Sequence, residues 1–257
     1  MKRTRSGRSG KSGPAVAVLV LGLVAASCGR PPGPAQVPDV PGDYRALVRA
    51  AHAHLREREL APAKAALERA VALHPSGAEA HNLLGIVHFL QENLRPAEEC
   101  FLRAVGLKSD YAAAYNNLGN VHFLQGNVRT ARRDLKKSID LAPDSAAAHY
   151  SLAMVLFSQG KHEEGTACLS RGIALDPDFP ERNRNLSAGV AVTGLTSPET
   201  YFAWARAYAL QDHASKAVEF LEKAKEAGFK GWKRLDSERE FERIRDDPEF
   251  ILFRQSL

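Results

Sequence analysis

Three cysteines and nine histidines are the side chains of this 257-residue chain best suited to covalent or metal chemistry. Cys28 directly follows an apolar run, whereas Cys100 and Cys168 lie far along the chain. The thiolate is the form of cysteine that reacts or binds a metal. A disulfide, a metal site and a covalently modified cysteine are therefore the three chemistries to be distinguished.

The first 27 residues have the pattern of an export signal. Five basic residues and no acid precede an apolar stretch over 15–26, and small residues follow. That stretch is too short to span a bilayer, which takes roughly 20 residues, so a permanent membrane helix is the weaker interpretation. Removing the five basic residues leaves 30 basic and 30 acidic residues. The basic balance of the full chain therefore gives no reason to expect a nucleic-acid partner.

Residues 25–28, Ala-Ala-Ser-Cys, resemble the lipobox of bacterial lipoproteins. In that family a diacylglyceryl group is joined to the cysteine, and cleavage leaves the cysteine as the first residue. The usual leucine three residues before the cysteine is Ala25 here. The resemblance implies lipid attachment at Cys28, with ordinary signal cleavage before Cys28 and an uncleaved anchor as the alternatives. Prolines at 31, 32, 34, 38 and 41 then predict an extended spacer.

The chain after the spacer repeats itself every 34 residues. The window GIVHFLQ at 85–91 recurs as GNVHFLQ at 119–125 and as AMVLFSQ at 153–159. Alanine recurs at 63, 97 and 131, and leucine at 73, 107, 141 and 175. Within each unit, apolar residues at three- and four-residue steps form two blocks with a short polar break, which predicts two antiparallel helices. Small residues at 51, 85, 119 and 153 mark the point where the paired helices touch.

These columns resemble the tetratricopeptide repeat, most clearly in the third unit through Tyr115, Leu118-Gly119, Ala131 and Pro143. The resemblance implies an all-α fold, a right-handed superhelical solenoid of helix–turn–helix repeats with a C-terminal capping segment. We divide the chain into a signal peptide (1–27), lipid-attachment cysteine and proline-rich linker (28–43), four repeats (44–178), an irregular half-repeat (179–196), a degenerate repeat (197–230) and a cap (231–257). The apolar residues of the cap are expected to cover the open end of the stack.

The repeat register bears on the remaining histidines and cysteines. His88 and His122 share one column, where neutral imidazoles packed between helices explain them without a metal. Cys100 and Cys168 share another column two repeats apart, about 20 Å at ordinary helix spacing, whereas a disulfide tolerates about 7 Å. We expect both thiols to be reduced and largely buried. The sequence contains no catalytic motif, and we expect no cofactor, no metal and no enzymatic activity.

The resemblance also implies a concave groove, lined by the first helix of each unit, that binds a peptide or protein partner. The asparagines among its residues offer paired donors and acceptors to an extended backbone. The phenylalanines form a row at 34-residue spacing, and their alternative role is to pack against the neighbouring unit. The candidate groove residues are Arg49, Asn82, Phe89, Asn116, Asn117, Asn120, Phe123, Tyr150 and Phe157.

The second helix of the third unit carries five basic residues on what should be its outer side, Arg129, Arg132, Arg133, Lys136 and Lys137. Such a run usually forms a solvated helix face, and contact with lipid headgroups or an acidic partner is the alternative.

Two functions fit the sequence. The first is a lipid-anchored adaptor of the bacterial cell envelope, in the outer membrane facing the periplasm or alternatively soluble after export. It would assist assembly of a pilus, a secretion system or outer-membrane proteins. The second is an exported accessory subunit of a cell-wall or polysaccharide enzyme that binds substrate or enzyme through the groove. The sequence does not name the partner, and it leaves a homo-oligomer open.

Overall fold

The computed structural model describes residues 42–182 and 197–257, and within these ranges the chain is helical without strands. The first four helix pairs are α1 (Gly42–Arg56) and α2 (Leu60–Leu73), α3 (Ala78–Leu90) and α4 (Leu94–Leu107), α5 (Ala112–Leu124) and α6 (Val128–Leu141), and α7 (Ala146–Ser158) and α8 (His162–Leu175). We call these pairs units 1 to 4. The all-α class and the helix–turn–helix repeats are as predicted.

A short helix, α9 (Phe179–Arg182), follows unit 4, and unit 5 is formed by α10 (Pro198–Leu210) and α11 (Ala214–Glu226). The cap consists of α12 (Arg234–Ser237), a 3₁₀ helix (Arg239–Ile244) and α13 (Pro248–Gln255). The predicted signal peptide, the proline-rich spacer and residues 183–196 of the predicted half-repeat lie outside the described residues. Among the described helices, none is long and apolar enough to cross a membrane.

The helices stack as a solenoid. The two helices of each unit pack against each other, and the second helix of each unit packs against the first helix of the next. This order continues from α8 to α10 although 22 residues separate them in the chain. Unit 5 therefore takes the next place in the stack, and the intervening segment is an insertion between two consecutive units.

The turn inside each unit has one repeated geometry. The residue before the second helix's N-cap has positive φ in all five units, at Arg58, Glu92, Gly126, Gly160 and Asp212. In each turn the next N–H donates to the carbonyl five residues earlier, as from Asn93 to His88 at 2.9 Å. This pairing ends the first helix by a Schellman motif, which needs a left-handed residue at that point. Glycine meets the need without strain in units 3 and 4.

The small-residue column lies where the paired helices approach most closely, as predicted. A Cβ at Gly85 would stand 2.6 Å from the ring of Phe101, and one at Gly119 would stand 2.5 Å from Leu135. Ala51 and Ala153 are fully buried at the equivalent points. A larger side chain would therefore separate the two helices of the unit.

The cap closes the end of the stack. Leu235, Phe241, Ile244, Phe250 and Phe253 are buried in the same apolar cluster as units 4 and 5, and Trp232 packs against it. The 3₁₀ helix lies on α10, and α13 lies on α11. The predicted role of the C-terminal segment as a cover for the last unit is confirmed.

Candidate peptide-binding site

Eight of the nine candidate residues lie on three first helices, α3, α5 and α7, and Arg49 lies exposed on α1. Asn82 of α3 and Asn116 of α5 are equivalent residues of neighbouring units, and Asn120 lies one turn after Asn116 on the same helix face. All four candidate asparagines are buried. The stack thus gathers amide side chains from units 2 and 3 into one polar cluster.

The amides of this cluster are only partly satisfied. Asn117 donates from Nδ2 to Asn82 Oδ1 across the junction of the two units, at 2.9 Å. Asn116 Oδ1 and Asn117 Oδ1 are buried and have no hydrogen-bond partner among the described residues, whereas Asn82 also interacts with the hydroxyl of Tyr111. A buried amide group left without a partner costs about 1–3 kcal/mol. The cluster therefore holds unpaired amide oxygens inside the stack, at a cost in stability.

The phenylalanine row is divided between core and site. Phe89 is buried in the apolar cluster of units 1 and 2. Phe157 is buried over Gly165, and its ring lies 6.0 Å from that of His162. Only Phe123 keeps partial exposure. For Phe89 and Phe157 the alternative role, packing within the stack, is the one that the structure shows, whereas Phe123 remains a candidate contact residue.

Tyr150 also packs inside the stack. It is fully buried, its ring stacks on Phe179 at 4.9 Å, and its hydroxyl donates to the backbone carbonyl of Asp176 at 3.2 Å. Burial raises the pKa of this phenol, so it stays protonated as the donor. Tyr150 therefore fixes the start of the insertion, and its predicted contact with a partner is not supported by an exposed surface.

The histidine column is more polar than the sequence predicts. His122 Nδ1 lies 2.7 Å from Asp134 Oδ2, and Nε2 lies 3.2 Å from Glu98 Oε1 of the preceding unit. A hydrogen bond from Gln125, together with His122, lowers the pKa of Glu98. His88 fits the prediction better, because burial lowers its pKa and favours the neutral ring. The carboxylate partners were missed because they lie on other helices, outside the histidine column.

A second buried polar cluster was also missed. Arg206 of α10 makes two hydrogen bonds to Glu163, at 2.7 and 2.9 Å, and ion pairs to Glu238 and Glu240 of the cap. Glu163 lies in the first turn of α8, and its side chain is 74% exposed although it pairs with Arg206. The insertion displaces Arg206 from the 34-residue register, so the periodicity gave no signal for this contact.

Cys100 and Cys168 are free thiols, as predicted, but each is only partly buried. Burial raises the pKa of Cys100 to about 11, and it also raises the pKa of Cys168. Both thiols are therefore protonated near neutral pH and unreactive. In the described part of the chain, no group of histidine, cysteine and carboxylate side chains has an arrangement that would hold a metal ion.

Two family models match the helical stack. A model described as tetratricopeptide repeat matches residues 48–112, and the model of anaphase-promoting complex, cyclosome, subunit 3 matches residues 90–172. Together with the paired helices and the recurring turns, these matches define the class of the molecule. Its fold is a solenoid of helix–turn–helix repeats of the tetratricopeptide type. No curated protein matches the chain in sequence.

Solved structures share the fold at low sequence identity. A thermophilic tetratricopeptide-repeat protein of Thermus thermophilus is 20% identical with a TM-score of 0.52, and the match covers 76% of this chain and 97% of that chain. The pilF structure of Pseudomonas aeruginosa is 16% identical with a TM-score of 0.50, covering 79% and 96%. An O-GlcNAc transferase of Thermobaculum terrenum is 26% identical with a TM-score of 0.51. That match covers 54% of this chain but only 27% of the transferase.

Proposed function

We propose that this protein is a non-catalytic scaffold that binds an extended segment of a partner protein along the first helices of units 2 and 3. The observation that carries the proposal is the asparagine cluster on adjacent first helices beside the partly exposed ring of Phe123. The four amides are at most 4% exposed in the unbound stack, so their pairing with a partner requires the cluster to open. An extended backbone presents N–H and C=O groups in alternation, which pair with amide oxygens and amide N–H groups respectively. Phe123, partly exposed beside the cluster, supplies an apolar anchor of the kind that dominates binding energy.

The proposed place of action is the bacterial cell envelope. The export signal and the lipobox-like residues before Cys28 support attachment of a lipid to that cysteine, with the spacer separating the solenoid from the membrane. Gly29 follows the cysteine, where aspartate would favour retention in the inner membrane, so we propose the outer membrane. A tethered scaffold of this kind would assist assembly of an envelope complex such as a pilus, a secretion system or the outer-membrane protein machinery.

The binding site is tested with the chain lacking the signal peptide, residues 28–257 with Cys28→Ser, used to capture partners from envelope extracts. We expect the double variant Asn120→Ala/Phe123→Ala to capture at least tenfold less of one dominant protein partner than the parent does. The matched control Leu102→Ala/Arg103→Ala changes exposed residues of α4 and should retain the partner. Equal capture by both variants, with circular dichroism showing that both are folded, would refute the site.

The same Cys28→Ser protein also distinguishes the two proposed functions, an adaptor and an accessory subunit of a cell-wall enzyme. Retention on purified peptidoglycan or glycan without any protein partner would favour the accessory subunit. Anchoring is measured independently, by incorporation of labelled palmitate into the full chain. We expect wild type to be labelled and Cys28→Ser to be unlabelled, and an unlabelled wild type would refute the lipid tether.

A further inference from the structure

The outer side of unit 3 carries a concentration of positive charge on one helix. The five basic side chains of α6 recur at steps of three and four residues, so they form a single stripe along the helix. Arg133 is paired with Asp134, and its side chain is 74% exposed. The other four cations have no ion pair with a described residue, and they are Arg129, Arg132, Lys136 and Lys137. We call these five residues the basic stripe.

The repeat itself does not require this charge. The five equivalent positions of unit 2 hold Arg95, Glu98, Glu99, Leu102 and Arg103, which are neutral in sum. The equivalents in unit 4 are Glu163, Thr166, Ala167, Ser170 and Arg171, also neutral in sum, and those of unit 1 contribute one net positive charge through Lys64, Glu68 and Arg69. Three like-charge pairs at i, i+4 in the stripe each cost about 0.2–0.5 kcal/mol. Asp140, one turn after Lys136, and Glu164 of α8, which interacts with Arg132 and Lys136, offset part of this repulsion. The stripe still keeps an excess of positive charge that the repeat does not need.

We propose that the basic stripe of α6 docks on the anionic lipid headgroups of the membrane that carries the protein. Three of its five cations are arginines, whose planar guanidinium groups pair with phosphate through two hydrogen bonds. No aromatic side chain lies among them, so the stripe lacks the anchors typical of a protein interface. A layer of phosphates needs no such anchor, because each basic residue near an anionic surface contributes separately.

Leu102 adds an apolar contact beside the stripe. It occupies on α4 the position that Lys136 occupies on α6, and it is 49% exposed. Equivalent helices of consecutive units lie about 10 Å apart. An exposed leucine at this distance from a row of cations suits the boundary between headgroups and acyl chains.

This inference rests on the proposed lipid attachment at Cys28, which would keep headgroups within reach of the stripe. Thirteen residues separate Cys28 from Gly42 at the start of α1, and the fourteen steps between them cover about 43 Å in an extended, proline-rich conformation. Unit 3 lies about 20 Å along the stack from unit 1 at ordinary helix spacing. The tether therefore allows α6 to lie on the membrane surface. In that position the solenoid would lie along the membrane with its first helices turned away from the lipid.

The test uses residues 28–257 with Cys28→Ser, which contain every described helix, after a check that the protein unfolds cooperatively. Co-sedimentation with vesicles of phosphatidylglycerol and phosphatidylcholine is compared with vesicles of phosphatidylcholine alone, at low and high salt. We expect binding only to the anionic vesicles and loss of binding at high salt. The variant R129Q/R132Q/K136Q/K137Q should bind at least tenfold more weakly.

A matched variant removes the same charge from the other units, K64Q/R69Q/R95Q/R103Q, and should bind within about threefold of the parent. Equal losses in the two variants would mean that net charge alone is sensed, and would overturn the assignment to α6. Absence of binding to anionic vesicles would also overturn it. If soluble polyglutamate binds the chain as strongly as the anionic vesicles do, the stripe would be assigned to an acidic protein instead. Because the lipid tether is absent from this chain, the palmitate experiment decides that claim separately.

Discussion

The middle and the C-terminal end of the same solenoid are built from different side chains. Between units 2 and 3, the contacts include the amides of Asn82 and Asn117 and the ring of His122 between two carboxylates. Unit 3 and its junction with unit 4 contain a small apolar cluster made of short aliphatic side chains. The middle of the stack is therefore held partly by polar groups, some of which remain unpaired.

The C-terminal end is mainly aromatic, although Trp204 Nε1 is also buried there without a partner among the described residues. Trp204 stacks on Phe220 at 5.0 Å, Phe202 on Phe229 at 4.3 Å, and Phe241 on Phe250 at 5.6 Å. Arg206 ties this end to the cap through its carboxylate partners. The two regions therefore differ in how they are held together, by aromatic packing at the end and by partly unpaired amides and an imidazole in the middle.

The largest expected effect is at the aromatic end. Phe241→Ala removes a fully buried ring that contacts Phe202 and Phe250, and it should lower the free energy of unfolding by about 3–5 kcal/mol. Urea denaturation measures this loss. The control Leu252→Ala on the same cap changes a side chain that is 65% exposed and should cost less than about 0.5 kcal/mol. Similar losses from both variants would show that the cap is not part of the core.

The next effect concerns the buried arginine. Arg206→Leu leaves the largely buried Glu240 without a cation and Glu238 with Arg234 alone, and we expect a loss of about 3 kcal/mol. Amide hydrogen exchange should locate the loss in α10 and the cap. Glu163→Gln should cost less, because the side chain of Glu163 is 74% exposed. If exchange increases evenly along the stack, the cluster does not fasten the cap.

A smaller effect of opposite sign is expected in the middle. The double variant Asn82→Leu/Asn117→Leu replaces a half-satisfied amide pair by apolar groups of similar size. Such a replacement is neutral or stabilising, so the free energy of unfolding should rise by up to about 1 kcal/mol while partner capture is lost. A fall of more than about 1 kcal/mol would show that the amides hold the units together, and would remove the contrast between the two regions.

The smallest effect is a pH dependence. Burial lowers the pKa of His88 and of His149, whereas an unfolded histidine titrates near pH 6.5. On acidification the unfolded chain takes up protons before the folded chain does, so stability falls as the pH drops from neutral through 6.5. The double variant His88→Gln/His149→Gln should reduce the change in the urea midpoint between pH 7.5 and pH 5.5, that is, the slope of the midpoint against pH. An unchanged slope would assign the acid sensitivity to other groups.

The sequence predicts the parts of the fold that obey the 34-residue period. Gly85, Gly119 and their equivalents predict where the paired helices touch. The apolar residues of the cap predict that this segment packs on the last unit. The contact between Arg206 and Glu163 was not predictable, because the insertion between units 4 and 5 breaks the register. The period also cannot tell whether a row of phenylalanines faces a ligand or the core. Phe89 and Phe157 are buried core residues, whereas Phe123 packs on the core with part of its ring exposed.

The central claim is that a partner binds along the first helices of the middle units. A photo-crosslinking amino acid placed at Phe123 tests it most directly, with the same group at exposed Leu102 on α4 as the comparison. Illumination in cells should give one protein adduct from position 123 and none of that protein from position 102. The same adduct from both positions, or from position 102 alone, would contradict the account.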